Sequence, residues 1–329
     1  MTPGGDARGV PDVPESDMAI TVNSDNFVRA ETARMFHDLQ RDAGGVNLFS
    51  HNRTPAAIDA QTVIRLNRDT LYSFAVVDLA EGATLTVPEH GDRYLSVMIV
   101  DEDHLIHRTY HDAGSYPLSA AEHGTRYVTV AARVLVDPND PADLAAVHAV
   151  QDGLLIEAVS SDPFVLDDYD TESFDETRSA LLTLASRLTG YTRMFGSADE
   201  VDPVRHLIGT AAGWGGLPTS EAVYVGANPR LAPGRYELTV RDVPVDGFWS
   251  ISVYNAAGFF EPNASSAYTI NDITAVKNDD GSVTVRFGDF PEGTPNVIPT
   301  PEGWNYLVRL YRPHPEILDG SWSFPVLGA

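Results

Sequence analysis

Asn67-Arg68-Asp69-Thr70-Leu71-Tyr72-Ser73-Phe74-Ala75-Val76-Val77-Asp78-Leu79 sets polar groups directly against an apolar strand. From Phe74 to Leu79 the run is nearly all hydrophobic, so the Asn-Arg-Asp cluster stands at the mouth of something buried. Half-burying Arg68 and Asp69 costs free energy unless they pair or hold a ligand. β-branched and aromatic residues bounded by turn residues read as strand here, and the same signature recurs at 62–66, 84–87, 94–101, 106–110 and 127–136.

Helical signals flank this β-rich block. Before it, Phe27, Ala30, Ala33, Phe36 and Leu39 form an apolar face that Ser24 or Asp25 can cap and Gly44-Gly45 stop. After it, Asp140-Pro141 opens a helix carrying Leu144, Val147 and Leu154. Ser173 with Glu176 makes a capping box, Asp202-Pro203 starts a third helix, and Gly213-Trp214-Gly215-Gly216 follows. Strands return at 235–243, 248–254, 268–270, 283–287 and 306–311.

The order β-block, helices, β-block predicts a mainly β fold with α: two antiparallel β-sandwich or jelly-roll-like domains bridged by a helical section. The expected division is a disordered tail over 1–20, a β domain with a leading helix over 21–138, helices over 139–217 and a β-sandwich over 218–329. The βαβ alternation of a doubly wound fold, a dinucleotide fingerprint and a phosphate-cradling loop are all missing, so no organic cofactor is expected.

Charge narrows the partners. A formal net charge of -25, with no cluster of Lys or Arg, argues against nucleic acid and against an anionic membrane surface. No apolar run approaches the roughly 20 residues that span a bilayer, and the first residues lack a secretory pattern, so a cytoplasmic protein is the expectation. With no cysteine there is neither disulfide nor thiol nucleophile. The expected partner is a small-molecule substrate, anionic if Arg68 anchors it; a homo-oligomer is compatible.

Arg68 can hold a carboxylate or developing oxyanion, with Asp69 as orienter or base and Asn67 and Tyr72 beside them. A structural Arg68–Asp69 pair pinning two loops is the competing reading. Asp101, Glu102, Asp103, His104, His107 and His111 fall within 11 residues, which suggests an acid/base pair or a metal. On an extended segment His107 and His111 share a face and His104 points away, so no metal is expected, and these three are the ligands if one binds. His148, Gln151 and Asp152 share a helix face that reads as a packed polar stripe. Trp214, Tyr224, Asn255, Phe259 and Asn263 are aromatics and amides suited to lining a pocket.

The motif set resembles a bacterial two-domain family whose halves are domains of unknown function 1254 and 1214. The first half is carried by Asn67 to Ser73, Arg93-Tyr94-Leu95-Ser96-Val97, Glu102-Asp103-His104 and Asp143-Leu144 with Val147-His148 and Gln151-Asp152. The second is carried by Gly247-Phe248-Trp249-Ser250-Ile251-Ser252-Val253-Tyr254-Asn255, Gly258 to Asn263 and Trp304 to Pro313. The resemblance implies paired β-sandwich-like domains with helices between them and assigns no activity. The residues point to an enzyme with acid/base hydrolase or lyase chemistry in a cleft between the domains, its catalytic groups Arg68, Asp69, Tyr72, Asp103 and His104. The alternative is a non-catalytic ligand-binding or envelope-associated protein.

Overall fold

Residues 19–61, 64–188 and 190–327 are described by a computed structural model of the chain. Helix α1 (Phe27–Ala43) buries Phe27, Ala30, Ala33 and Phe36 at helical spacing and stops at Gly44, whose φ of 83° is left-handed. Its cap is Asn26, not Ser24 or Asp25, and makes no side-chain cap bond. Strands β1 (Ser50–His51), β2 (Thr70–Asp78), β3 (Ala83–Val87), β4 (Leu95–Asp101), β5 (Ile106–Tyr110) and β6 (Gly114–Leu118) follow, then the short helix α2 (Ala120–His123) and β7 (Tyr127–Leu135).

Five of these strands make one antiparallel sheet in the order β1-β2-β7-β4-β5. Alternation along β2 decides its two faces. Leu71, Ala75 and Val77 join Val97, Ile99, Val130 and Ala132 in one core, while Tyr72, Phe74 and Val76 point the other way. A second sheet, β6-β3-β8, closes that core, and β8 (Leu155–Ala158) reaches it after α3 (Pro141–Asp152). Asp140 caps α3, which packs Val147 and Val150 into the same core.

Helices α4 (Thr171–Ala185) and α5 (Pro203–Gly213) pack with α1 around Phe27, Phe174 and Ile208. The second half contributes β9 (Ala222–Ala227), β10 (Tyr236–Val240), β11 (Trp249–Tyr254), β12 (Thr269–Asn271), β13 (Val283–Phe287), β14 (Val297–Ile298), β15 (Asn305–Tyr311) and the one-turn α6 (Pro315–Leu318). These form the sheets β12-β11-β15-β9 and β10-β13-β14, with Trp249, Val285, Phe287, Trp304 and Val308 between them. The protein is mainly antiparallel β with helices, and β13–β14 is a parallel pair.

Several expectations are corrected. Residues 64–66 are turn and irregular rather than strand, and 62–63 lie outside the described residues. Helix α4 starts at Thr171 under an Asp170 cap, not at Ser173. Strand β8 lies within the section expected to be helical; its four residues directly follow a helix and have no alternation long enough to read. Of the expected tail, 1–18 lie outside the described residues, and Ile20 is tied by a bridge to Tyr169.

The outer faces of the two largest sheets meet. Tyr94, Met98, Ala131 and Leu135 from the first pack with Ala222, Phe248 and Tyr311 from the second. Phe248 stacks on Tyr311 at 4.3 Å between centroids, and Tyr94 meets both rings, at 5.1 and 5.3 Å. Each such pair adds about 0.5–1.5 kcal/mol beyond burial. This contact positions the site.

A buried polar recess between two sheets

Two arginines occupy the middle of the two facing sheets. Arg133 on β7 lies opposite Tyr72 on β2 and Ser96 on β4. Arg309 on β15 lies opposite Ser250 on β11 and Tyr224 on β9. Both are nearly inaccessible, Arg133 at 6% and Arg309 at 3%, which only pairing or bonding makes tolerable.

Their surroundings differ. Arg309 donates to Ser252 Oγ at 2.8 Å, to the carbonyls of Arg65 and Leu66 at 2.8 and 3.1 Å, and to the Tyr254 hydroxyl at 2.9 Å. That fork knits the 65–66 loop to the second sheet. Arg133 donates from Nη2 to the Gly215 carbonyl and interacts with the Tyr72 phenol, and its buried Nη1 makes no well-formed bond. Among the described residues no carboxylate forms an ion pair with it. Its guanidinium lies 5.2 Å from the centre of the Tyr72 ring.

The Asn67–Tyr72 stretch reaches this point as a turn. Asn67 Oδ1 accepts from the Asp69 amide, and Asn67 Nδ2 faces Thr70 Oγ1 at 2.9 Å and the hydroxyls of Tyr72 and Tyr311, both at 3.2 Å. Asp69 is fully buried; its Oδ1 accepts from Thr269 Oγ1 at 3.0 Å and Asn271 Nδ2 at 3.3 Å, and its Oδ2 has no partner. Tyr72, Phe74 and Tyr224 keep part of their surface accessible beside this otherwise buried contact.

The phenols divide into two kinds. Burial pushes those of Tyr94, Tyr224, Tyr254 and Tyr311 above the ordinary value, Tyr311 well above it. Burial also pushes Tyr72 up, but the charge of Arg133, the hydrogen bonds of Asn67 and Thr70 and the field of Arg309 outweigh it and hold Tyr72 below its ordinary value. Groups driven apart in this way suit proton donor and acceptor roles in one site.

His104 acts behind this layer. It is buried with a left-handed φ of 60°, its Nε2 accepts from the Gly215 amide at 2.8 Å, and Nδ1 therefore donates to Thr210 Oγ1 at 2.8 Å. Burial, then neighbouring His206, holds its pKa well below the ordinary value, so it stays neutral. Gly215 thus joins His104, through its amide N–H, to Arg133, through its carbonyl. Gly215 has a φ of 75°, and a Cβ on Gly216 would lie 2.3 Å from Phe195, so both positions need glycine.

The structure gathers Asn67, Asp69, Tyr72 and Tyr224 and separates the remaining candidates. Arg68 is turned to the Ala56 carbonyl and to the Tyr268 ring, 5.3 Å away, and forms no ion pair with Asp69. Neither the anion anchor expected of Arg68 nor the competing Arg68–Asp69 pair is formed; Asp69 is held by Thr269 and Asn271. Asp103 is on the surface in an ion pair with Arg29 at 2.9 Å. Trp214 stacks on His104 at 5.3 Å and donates to Thr32 Oγ1.

Asn255 Oδ1 caps the amides of Ala257 and Phe259, Asn263 closes its own loop onto Ala267, and Phe260, not Phe259, is the packed ring. His107 is bonded to Asp101 at 2.8 Å and His111 to Glu221 at 2.7 Å, while His104 serves Gly215; the three fallback ligands have separate environments. Among the described residues no three His, Asp or Glu are placed to hold a metal. The α3 stripe is scaffold: His148 bonds the Arg53 carbonyl, Asp152 pairs with Arg53, and Gln151 binds the Tyr72 carbonyl.

Arg133 and Arg309 were missed by sequence reasoning. Each is a lone charge inside an apolar strand, Ala131-Ala132-Arg133-Val134-Leu135 and Leu307-Val308-Arg309-Leu310, and that interruption is the signal that finds them.

The family described as protein of unknown function DUF1254 matches residues 46–115, and that described as protein of unknown function DUF1214 matches 227–315. No curated protein matches the chain. The solved structure of the VPA0106 protein from Vibrio parahaemolyticus is similar, with a TM-score of 0.70 at 17% identity over 91% of this chain and 96% of that one. That likeness is one of fold. A putative uncharacterized protein from Burkholderia cenocepacia matches with a TM-score of 0.49 at 14% identity, over 92% of this chain and 88% of that one. Among the described residues no helix is long and apolar enough to cross a membrane.

Proposed function

We propose that this chain, which joins a DUF1254 domain to a DUF1214 domain, is an enzyme that moves protons on a small organic molecule held in the recess between its two large sheets. The observation that carries this reading is the buried guanidinium of Arg133, which has no carboxylate partner among the described residues, beside Tyr72, the one phenol of the cluster held below its ordinary value. A guanidinium without a carboxylate partner in a desolvated site is a contact for an oxyanion. A phenol that gives up its proton more readily than its neighbours is a base, and Tyr224 and Tyr311 remain neutral as donors.

Lyase or hydrolase chemistry suits this set. In the lyase form, Tyr72 is the general base that takes a proton from the carbon next to a carboxylate. The electron pair of that C–H bond moves onto the carboxylate oxygens under Arg133. It then returns to form a C=C bond as the leaving group departs with a proton from Tyr224 or Tyr311.

The test is NMR of a panel of small carboxylic acids and esters incubated with the protein in D2O. Wild type should incorporate deuterium beside a carboxylate or release product, and Tyr72→Phe should not. Binding without exchange or turnover anywhere in the panel would remove the enzyme reading and leave a ligand-binding protein.

A further inference from the structure

We infer that the recess takes a small hydroxy monocarboxylate, with its carboxylate on Arg133 and its hydroxyl donating to Asp69. The inference names the ligand of the site proposed above and rests on the recess being the substrate site. It comes from a tally of charges and unfilled polar atoms.

Two buried guanidinium groups lie here, Arg133 and Arg309; the field of Asp69 reaches Arg309, whereas the groups that act on Arg133 are phenols. Asp69 also contributes to the field at Tyr254 and Tyr311, so all these groups belong to one cluster. Among the described residues Arg133 has no carboxylate ion pair, and the groups that act on it are the phenols of Tyr72, Tyr224 and Tyr94. An uncompensated buried charge is costly, and a bound monoanion relieves it.

The unfilled atoms are of two kinds and lie at two ends. At the Arg133 end are its Nη1 and, beside it, the buried hydroxyls of Tyr94 and, on β4, of Ser96, which have only each other. These can donate to an oxyanion. At the other end is Asp69 Oδ2, a buried acceptor lacking a donor. Such a lone acceptor is matched by a ligand hydroxyl. It equally repels a second carboxylate.

The two contacts are close along the chain. Asp69 is in the turn just before β2 and Tyr72 is on β2, paired with Arg133 on β7. That closeness favours a ligand of few carbon atoms.

The experiment is calorimetric titration of the full chain with 3-hydroxybutyrate, lactate, butyrate and succinate, repeated with Arg133→Gln. A hydroxy monocarboxylate should bind at least about tenfold more tightly than butyrate, succinate should be weakest, and Arg133→Gln should abolish the heat. Equal binding of butyrate and 3-hydroxybutyrate, a preference for succinate, or no binding by any monocarboxylate would overturn the assignment. The two readings fail separately. The expected binding order without chemistry keeps the ligand class and removes the enzyme, whereas turnover of a dicarboxylate does the reverse.

Discussion

The guanidinium of Arg133 lies 5.2 Å from the centre of the Tyr72 ring, and the two residues are direct cross-strand partners on β7 and β2. A cation placed there stabilises phenolate over phenol, and Asn67 adds a donated hydrogen bond.

Tyr72 should therefore ionise first among the recess tyrosines. An ultraviolet titration of the folded protein is expected to show one tyrosine deprotonating below the ordinary value of about 10, and Tyr72→Phe should remove that step. Because the folded value is depressed, the contribution to stability is complete above the unfolded value and fades as pH falls through the folded one. Tyr72→Phe should thus matter more at alkaline pH than at neutral pH. A first step unchanged by the substitution would assign the shift to another residue.

His104 should act on the recess through Gly215. Replacing it with Gln leaves an acceptor of different reach and removes the donor to Thr210. Arg133 then loses its fixed partner, and the expected result is a folded protein in which the first tyrosine step moves up toward about 10. A merely structural His104 would lower the melting temperature and leave that step in place.

Arg68→Ala should spare both ligand binding and most of the stability. The side chain is spent on the Ala56 carbonyl and the Tyr268 ring, worth together about 1–2 kcal/mol. Loss of ligand heat in that variant would return Arg68 to the site.

How far all this could be read in the sequence depends on the kind of signal each residue leaves. β-branched and aromatic runs bounded by turn residues mark the strands at 70–78 and 127–135, and caps at Asp140 and Asp202 mark α3 and α5 directly. Asn67, Asp69 and Tyr72 are legible because polar residues crowd the start of an apolar strand. Their partners are not, since Arg133, Arg309 and Tyr311 come from strands paired through tertiary structure, with no local pattern linking them. Asp103 and His104 are sequence neighbours that a left-handed turn at His104 sends in opposite directions, one to solvent and one to the core.

Asp78 supplies a scaffold control away from the recess. Bonds from Arg126 hold its carboxyl well below the usual range against the cost of burial, and Ser160, Ala80 and Asp162 add to them. Since the folded value is depressed, this contribution is present above the unfolded value of about 3.9 and is lost only as pH falls through the lower folded one. Asp78→Ala should cost about 1–3 kcal/mol at pH 7, and a difference that shrinks only in strong acid. Unfolding curves at several pH values check this.

The central claim is that Arg133 is kept for a ligand and Arg309 for the fold, and denaturant unfolding of Arg133→Met beside Arg309→Met tests it most directly. Arg309 satisfies four oxygens, so its loss should cost about 3–5 kcal/mol. Arg133 has no carboxylate ion pair among the described residues, so Arg133→Met should be neutral or stabilising without ligand while carboxylate binding disappears. A loss of about 3 kcal/mol or more in Arg133→Met, matching Arg309→Met, would contradict the account and make both arginines scaffold.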